Sequence, residues 1–220
     1  MPVDLVIFDC DGVLVDSEVI SCRVHATVLT RNGYPITTEQ VHDRFLGRSL
    51  RDSSLEVEAE IGRSLPDDFD VQVKRELFNA FTATLQAMPH IDDALTAITQ
   101  AVCVASSGPP DKIRHSLTHV ALYDRFSPNI YSAVQVERGK PEPDLFLFAA
   151  ERMGVSPARC LVIEDSIPGV TGARAAGMTV LGFHGGSHCG VGYCNRLRKA
   201  GASVTFDDMR QLPGLIAQIG

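Results

Sequence analysis

The polar side chains of this sequence that could do chemistry stand directly after short apolar runs. The runs cover residues 5–8, 101–105 and 160–163, and a weaker run at 129–134 precedes a lysine. The polar residues that follow them are Asp9, Asp11, Ser106, Ser107, Glu164, Asp165 and Lys140. If the ends of these runs meet in space, carboxylates, hydroxyl groups and one ammonium group share a single site.

Clustered carboxylates indicate a bound cation. Several of them within a few ångströms raise one another's pKa unless a positive ion neutralises them. Oxygen ligands without Cys or His favour Mg²⁺, which takes one or two carboxylates and leaves its other positions to water and phosphate. The lysine and the free backbone N–H groups of a strand-to-helix turn suit a second anion, most simply a phosphoryl group. The sequence therefore predicts Mg²⁺ as the cofactor and phosphoryl transfer as the reaction.

The spacing of the first two carboxylates allows them different roles. Asp9, at the end of the first run, is predicted to attack phosphorus and form an aspartyl-phosphate. Asp11, across a turn that contains Gly12, is predicted to protonate the leaving oxygen and then to deprotonate the hydrolytic water. Lys140 is expected to bridge Asp9 and the phosphoryl group.

The other polar residues of the set are assigned to binding. The Ser106 hydroxyl and the Ser107 N–H are expected to hold the phosphate oxygens, and Gly108 completes this substrate-binding turn. Glu164 is expected to hold a metal-bound water. The predicted metal residues together are Asp9, Asp11, Asp165 and Glu164.

The apolar runs indicate how these residues are positioned. Short continuous apolar runs are typical of strands buried on both faces of a parallel sheet. Weaker strands are predicted at 129–134, 179–183 and 203–206, and helices at 111–117, 143–153, 168–176 and 210–219. This alternation over residues 90–220 predicts an α/β fold with a doubly wound parallel sheet. Ligands of such sheets bind beyond the carboxyl ends of the strands, where the polar residues above lie.

Residues 17–88 break the alternation. They show helical periodicity, with loops at 32–35, near Gly47 and at 65–67, and no convincing strand. The length of 220 residues exceeds the commonest domain size of about 100–150 residues, which an insertion accounts for. We therefore predict a catalytic core domain at residues 1–16 and 89–220, and an inserted α-helical cap domain at residues 17–88.

The composition excludes several classes of function. Twenty Lys and Arg against 27 Asp and Glu give a net charge of −7 without a basic cluster, which argues against nucleic-acid and membrane partners. No apolar run approaches the ~18 residues that span a bilayer, and the N-terminus lacks a signal-peptide pattern, so a cytoplasmic location is expected. The cysteines form no CxxC pair and are expected to be reduced, and the stretch containing His184, His188, Cys189 and Cys194 is expected to be a plain loop.

Taken together, the motifs resemble those of a known superfamily. The stretch DCDGVLVDS at residues 9–17 resembles the first motif of the haloacid dehalogenase superfamily. Ser106, Lys140-Pro141 and Glu164-Asp165-Ser166 match its second, third and fourth motifs in order and in spacing. The resemblance covers essentially the whole chain, and the helical insertion is similar to the cap of the phosphoglycolate phosphatase and β-phosphoglucomutase branch.

This resemblance implies an Mg²⁺-dependent phosphatase, most similar to bacterial cap-bearing sugar phosphatases, including those assigned to 6-phosphogluconate. The implied partner is a small phosphorylated metabolite, and the implied quaternary state is a monomer or a weak dimer. The cap is expected to open and close over the strand ends. Within its loop at 44–51, Gly47, Arg48 and Arg51 are expected to contact the substrate.

A β-phosphoglucomutase-like mutase is the alternative reaction. A mutase needs a cationic seat in the cap for a second phosphate. The family positions for that seat are Leu46 and Leu50 here, although Arg48 and Arg51 lie close by. A pair of leucines is a poor environment for a second dianion, which favours hydrolysis.

Other functions fit the residues less well. A phospho-accepting receiver domain would be shorter, with its acceptor Asp on a middle strand and no helical insertion. A haloalkanoate dehalogenase would need no Mg²⁺ and would lack Asp11. An EF-hand calcium loop needs an oxygen ligand where Val13 stands. An inactive binding module is expected to have lost one of the four core residues Asp9, Asp11, Lys140 and Asp165. Each motif alone also fits an ordinary turn, helix cap or solvated side chain, so the functional prediction depends on their occurring together.

Overall fold

A computed structural model of the chain describes residues 2–46 and 50–219, which divide into two units. The first unit comprises Met1–Asp16 and Gln86–Gly220, and the second comprises Ser17–Leu85. The sequence places the return to the first unit at residue 89, which is too late. Ala87 pairs with Val15 in an antiparallel bridge, and the Met88 N–H donates to the Leu14 carbonyl at 2.9 Å, so this segment is tied to the end of the first motif.

The first unit is built on a parallel sheet. Its strands are β1 (Leu5–Phe8), β2 (Ala101–Ser106), β3 (Ile130–Ser132), β4 (Cys160–Glu164), β5 (Thr179–Phe183) and β6 (Val204–Phe206). The six strands lie in the order β3-β2-β1-β4-β5-β6, and neighbouring strands are parallel. The predicted fold class, an α/β fold with a doubly wound parallel sheet, is confirmed.

The second unit is helical in the residues described. It contains α1 (Glu18–Arg31), α2 (Thr38–Phe45), α3 (Leu50–Ile61) and α4 (Phe69–Thr84). Thr37 begins α2 with a capping box, because its side chain accepts from the Gln40 N–H while the Gln40 side chain accepts from the Thr37 N–H. Each helix buries apolar side chains along one face, among them Val28 of α1, Val57 of α3 and Phe81 of α4.

The described residues of the first unit form seven further α-helices. They are α5 (Ile91–Ala97), α6 (Pro110–His119), α7 (Tyr123–Phe126), α8 (Asp144–Arg152), α9 (Ile167–Ala175), α10 (Tyr193–Ala200) and α11 (Leu212–Ile219). The predicted helices correspond to α6, α8, α9 and α11, whereas α10, which begins at the end of the predicted loop, has no counterpart in the prediction. The predicted strand at 129–134 is shorter in the structure, because its last residues turn into a short 3₁₀ helix, Ala133–Gln135.

Both faces of the central strands are buried, which explains why they are continuously apolar. On one face Ile7 and Val162 pack with side chains of α8 and α9 such as Phe146 and Val170. On the other face the Phe8 ring meets the Phe126 ring edge-on, with 5.8 Å between centroids. None of the six cysteines forms a disulfide in the structure. Among the described residues, no helix is both long enough and apolar enough to cross a membrane.

Candidate active site

The candidate site lies at the carboxyl ends of β1, β2 and β4, which are adjacent in the sheet. The chain builds β2 and β3 on one side of β1 and the remaining strands on the other, so the strand order reverses at β1. Such a reversal opens a crevice beyond the strand ends. Asp9 enters it directly from β1, and its N–H donates to the Ile163 carbonyl of β4 at 3.0 Å.

Lys140 is the cation at the centre of the site. Its Nζ donates to Asp9 Oδ1 at 2.7 Å and to Glu164 Oε1 at 2.5 Å. The Lys140 side chain is 4% exposed, the Asp9 side chain 10% and the Glu164 side chain 0%. Residues that are 131 and 24 positions from the lysine are therefore joined by one buried ammonium group.

Burial and crowding shift the pKa values of these groups. Burial raises the pKa of Asp9 well above its ordinary 3.8, and the carboxylates of Glu164, Asp165 and Asp11 add to the rise, while Lys140 opposes it. Burial also raises the pKa of Asp165, assisted by the neighbouring Glu164. Burial disfavours the charged form of Lys140, but Asp9 and Glu164 outweigh it and hold the lysine pKa above its ordinary 10.5.

The donor set fits a hard divalent cation. Asp9, Glu164 and Asp165 are buried, and one carboxylate oxygen of each lies within 4.8 Å of the other two. Three carboxylates against the single ammonium of Lys140 leave a formal charge of 1 − 3 = −2. An ion with two positive charges and a preference for oxygen ligands would balance that excess. Asp11, which the sequence also predicts as a metal residue, is not one of these three residues, and its part in metal binding stays a prediction.

Asp11 is paired with a second cation that sequence reasoning missed. The Lys112 Nζ donates to Asp11 Oδ2 at 2.9 Å, and the two side chains are 18% and 12% exposed. Lys112 lies in the first turn of α6, which follows the β2 strand end. The sequence motifs predict one cation in the site, whereas the structure places two there, Lys140 and Lys112. A lysine in the first turn of a helix that starts beside the second motif was the available signal.

The second motif forms a closed turn. Ser106 is buried at the end of β2, and its Oγ accepts the Gly108 N–H at 3.1 Å. The Gly108 carbonyl in turn accepts the Ser132 hydroxyl of β3 at 2.6 Å. Ser107, between them, is exposed. The structure thus brings Ser106 and Gly108 into one hydrogen-bonded turn at the carboxyl end of β2.

Glu164 has more structural contacts than the sequence suggests. While Oε1 binds Lys140, Oε2 accepts the Ser166 N–H at 2.8 Å and the Ser166 hydroxyl at 2.9 Å. The Ser166 Oγ also accepts the Gly169 N–H at 3.0 Å and so caps α9. Glu164 therefore links the lysine to the start of α9. Its predicted part in holding a metal-bound water stays a prediction.

His188 is a second residue that sequence reasoning missed. The stretch after β5 is predicted to be a plain loop, but the structure buries the His188 ring and places its Nε2 2.9 Å from Asp165 Oδ2. The segment 184–192 contains no helix or strand, as predicted, but the sequence does not predict that His188 is buried against Asp165. Applying the rule that strand ends converge to β5, as well as to β1, β2 and β4, would have included it.

The predicted cap residues are only partly placed. Gly47 and Arg48 lie outside the described residues, and Arg51 has an exposed side chain on α3. The predicted loop at 44–51 is too wide, because its first residues belong to α2 and its last to α3. Arg44 is already engaged within the second unit: its guanidinium donates to Tyr34 Oη at 2.6 Å and to Glu56 Oε1 at 2.8 Å.

Comparisons with known proteins cover nearly the whole chain. A family model described as haloacid dehalogenase-like hydrolase matches residues 3–177. A protein from Escherichia coli K12 named 6-phosphogluconate phosphatase is 34% identical over 214 residues, which cover 97% of this chain and 94% of that protein.

Solved structures of similar proteins share the fold of this chain. A haloacid dehalogenase-like protein of unknown function from Agrobacterium tumefaciens matches with a TM-score of 0.86 and 40% identity over 99% of both chains. A hydrolase from Deinococcus radiodurans, solved with bound phosphate and sodium, matches with a TM-score of 0.80 and 29% identity. That match covers 99% of this chain and 96% of the other.

Proposed function

The chain belongs to the haloacid dehalogenase-like hydrolase family, and from that premise we propose that it is an Mg²⁺-dependent phosphatase of small phosphorylated sugars or sugar acids. The family and the enzyme class, a phosphoric monoester hydrolase, agree with the sequence prediction and are confirmed by these matches. The observation that carries the mechanism is the buried Lys140 ammonium, which contacts Asp9 and Glu164 beside Asp165.

The proposed reaction has two steps. In the first, an Asp9 carboxylate oxygen bonds to phosphorus, the bond from phosphorus to the leaving oxygen breaks, and Asp11 supplies the proton that this oxygen needs. In the second, Asp11 takes a proton from water, the water oxygen bonds to phosphorus, and the bond between phosphorus and Asp9 breaks. Inorganic phosphate leaves, and Asp9 and Asp11 return to their starting forms.

The remaining residues would bind and orient the phosphoryl group. Lys140, already in contact with Asp9, would neutralise charge on the phosphoryl oxygens while Asp9 attacks. The turn formed by Ser106 and Gly108, with the Ser107 N–H, would hold a further phosphoryl oxygen. Lys112 would hold the Asp11 carboxylate in place for proton transfer.

Magnesium would be held by Asp9 and Asp165, with Glu164 close by. When bound, the ion supplies positive charge that keeps these carboxylates ionised and offsets the charge of the incoming phosphate dianion. The excess of two negative charges among Asp9, Glu164, Asp165 and Lys140 supports this assignment.

The substrate class is proposed from a relative. The Escherichia coli protein that shares 34% identity is named for 6-phosphogluconate, a phosphorylated sugar acid. The predicted substrate contacts of Gly47, Arg48 and Arg51 stay predictions. A cytoplasmic location is also proposed, because the six free thiols suit a reducing compartment.

Hydrolysis is proposed in preference to phosphoryl shuttling between two hydroxyls of one sugar. The positions that correspond to the family's second phosphate seat carry Leu46 and Leu50, which offer no charge to a second dianion. Incubating the protein with β-glucose 1-phosphate and a trace of its bisphosphate distinguishes hydrolysis from phosphoryl shuttling. Free phosphate as the main product supports the phosphatase, and dominant formation of glucose 6-phosphate contradicts it.

The proposal is tested by measuring phosphate release from a panel of phosphorylated sugars and sugar acids that includes 6-phosphogluconate. We expect release with Mg²⁺, none in excess EDTA, and loss of activity in Asp9→Asn. Asp124→Asn is the matched control, because Asp124 is an exposed aspartate of the same unit. No release from any substrate, or full activity in excess EDTA, would overturn the proposal.

A further inference from the structure

Beyond the family motifs, His188 stands out as a buried polar side chain at the edge of the acidic cluster. It lies in the segment 184–192, which follows β5, and its ring is 0% exposed. Its Nε2 is 2.9 Å from Asp165 Oδ2, and the Asp165 side chain is 4% exposed. A buried histidine whose Nε2 lies this close to a carboxylate oxygen is placed to act on that carboxylate.

Two glycines leave the space that this pair occupies. A Cβ at Gly12 would lie 1.9 Å from Asp165 Oδ2 and 3.0 Å from His188 Cε1. A Cβ at Gly186 would lie 2.8 Å from both Cε1 and Nδ1 of the ring. Since real Cβ atoms do not approach other atoms at less than 3.0 Å, a larger residue at either position would force the neighbouring atoms to shift. Segments that follow β1, β4 and β5 therefore close around the contact between His188 and Asp165.

The ring and its segment are also fixed from other sides. The Tyr193 ring meets the His188 ring edge-on, with centroids 5.6 Å apart and an interplanar angle of 86°. Next to the histidine, the Ser187 N–H and hydroxyl donate to Asp16 Oδ1 at 3.1 and 2.8 Å. These contacts hold the imidazole in one orientation toward Asp165.

The chemistry of the contact assigns the donor. An ionised carboxylate only accepts hydrogen bonds, so Nε2 must carry the hydrogen when Asp165 is charged. Cys189 Sγ, 3.3 Å from the same nitrogen, is a weak partner beside the carboxylate. A donor that hydrogen-bonds to one oxygen of a metal-binding carboxylate restricts the rotation of that carboxylate and leaves its second oxygen for the ion.

We propose that His188 is a positioning residue that orients Asp165 for Mg²⁺, an inference that rests on the proposed function. It neither contacts substrate nor transfers a proton in the reaction. Its effect is to reduce the freedom that the Asp165 carboxylate loses when the ion binds. The effect therefore appears in metal affinity, before any substrate is present.

The test compares two replacements of the ring in the whole protein. His188→Phe keeps the ring shape and the edge contact with Tyr193 but removes the donor, and should weaken Mg²⁺ binding by about 10- to 100-fold. His188→Gln keeps an N–H donor near the position of Nε2 and should stay within about threefold of wild type. Val191→Ala is the matched control, because Val191 is a fully exposed residue of the same segment, and it should not change the affinity.

Mg²⁺ binding is measured by calorimetry on the metal-free protein, with thermal unfolding in EDTA to show that each variant is folded. Equal Mg²⁺ affinity of wild type and folded His188→Phe would overturn the positioning role. Equal weakening in folded His188→Gln and His188→Phe would also overturn it, because the donor would then not be what matters. A wild-type protein that binds no Mg²⁺ would instead refute the proposed function, so the two failures are distinguishable.

Discussion

Replacing Lys140 by methionine should destabilise the metal-free protein, because the change leaves buried carboxylates without their cation. The ammonium contacts Asp9 at 2.7 Å and Glu164 at 2.5 Å, and all three side chains are at most 10% exposed. Removing one partner of a buried ion pair typically costs about 3–5 kcal/mol, since an uncompensated charge stays behind. For a chain of this size, that loss corresponds to a fall in the unfolding midpoint of about 6–20 °C.

The loss of stability caused by Lys140→Met should become larger as the pH rises. Lys140 opposes the rise of the Asp9 pKa, so its loss moves that pKa further above the ordinary 3.8. A carboxyl group whose pKa is raised by folding binds more protons in the folded state than in the unfolded state. Folding stability therefore falls as the pH rises from the pKa of the unfolded state to the pKa of the folded state. The stability difference between wild type and Lys140→Met should therefore be smallest near pH 4 and grow toward pH 8.

Chemical unfolding in EDTA, followed at a series of pH values, measures both effects. Lys199→Met is the matched control, because Lys199 is an exposed lysine of the same unit, and it should change stability by no more than about 0.5 kcal/mol. If Lys140→Met is no less stable than Lys199→Met at pH 8, the ammonium does not neutralise the buried carboxylates and the charge argument for the site fails.

Three further variants test the roles assigned to individual side chains. Asp9→Asn should lower kcat by about 10⁴-fold or more, and a rate within about tenfold of wild type would show that water attacks phosphorus directly. In Asp11→Asn, the first phosphoryl transfer, followed as the initial burst of released leaving group, should slow by about 10² to 10⁴-fold for an alkyl phosphate and much less for p-nitrophenyl phosphate, since p-nitrophenolate leaves without a proton; equal losses in that burst rate would contradict the acid role. Lys112→Met should lower kcat by about tenfold, because Asp11 loses a hydrogen bond from a charged donor, and kcat equal to that of Lys199→Met would place Lys112 outside the mechanism.

The strand ends were predictable from the sequence for a physical reason. Parallel strands buried on both faces must be apolar throughout, so the first polar residue after each run marks the edge of the sheet. Asp9, Ser106 and Glu164 follow from that rule alone. The short helix α10 was not predictable, because Tyr193 and Leu197 are its only buried residues in the structure and one pair gives no periodic pattern.

Side-chain direction sets the other limit on prediction. A lysine in the first turn of α6 can point to solvent or back over the strand ends, and only the packed structure shows that Lys112 reaches Asp11. Likewise, the sequence around His188 is typical of an ordinary loop, and only the packed structure shows that Gly12 and Gly186 lie close to the histidine ring. The engagement of Arg44 with Tyr34 and Glu56 depends in the same way on how α2 and α3 pack within their own unit.

The most direct test of the account is to identify the residue that carries the phosphoryl group. In Asp11→Asn, p-nitrophenyl phosphate should still transfer its phosphoryl group, while hydrolysis of the enzyme-bound group is slowed because no base activates the water. Acid quenching, borohydride reduction and peptide mapping then convert a phosphorylated aspartate into homoserine at its position in the chain. The proposed mechanism predicts that Asp9 is converted into homoserine and that no other aspartate is. Release of one equivalent of p-nitrophenolate with Asp9 unmodified at every quench time would contradict it.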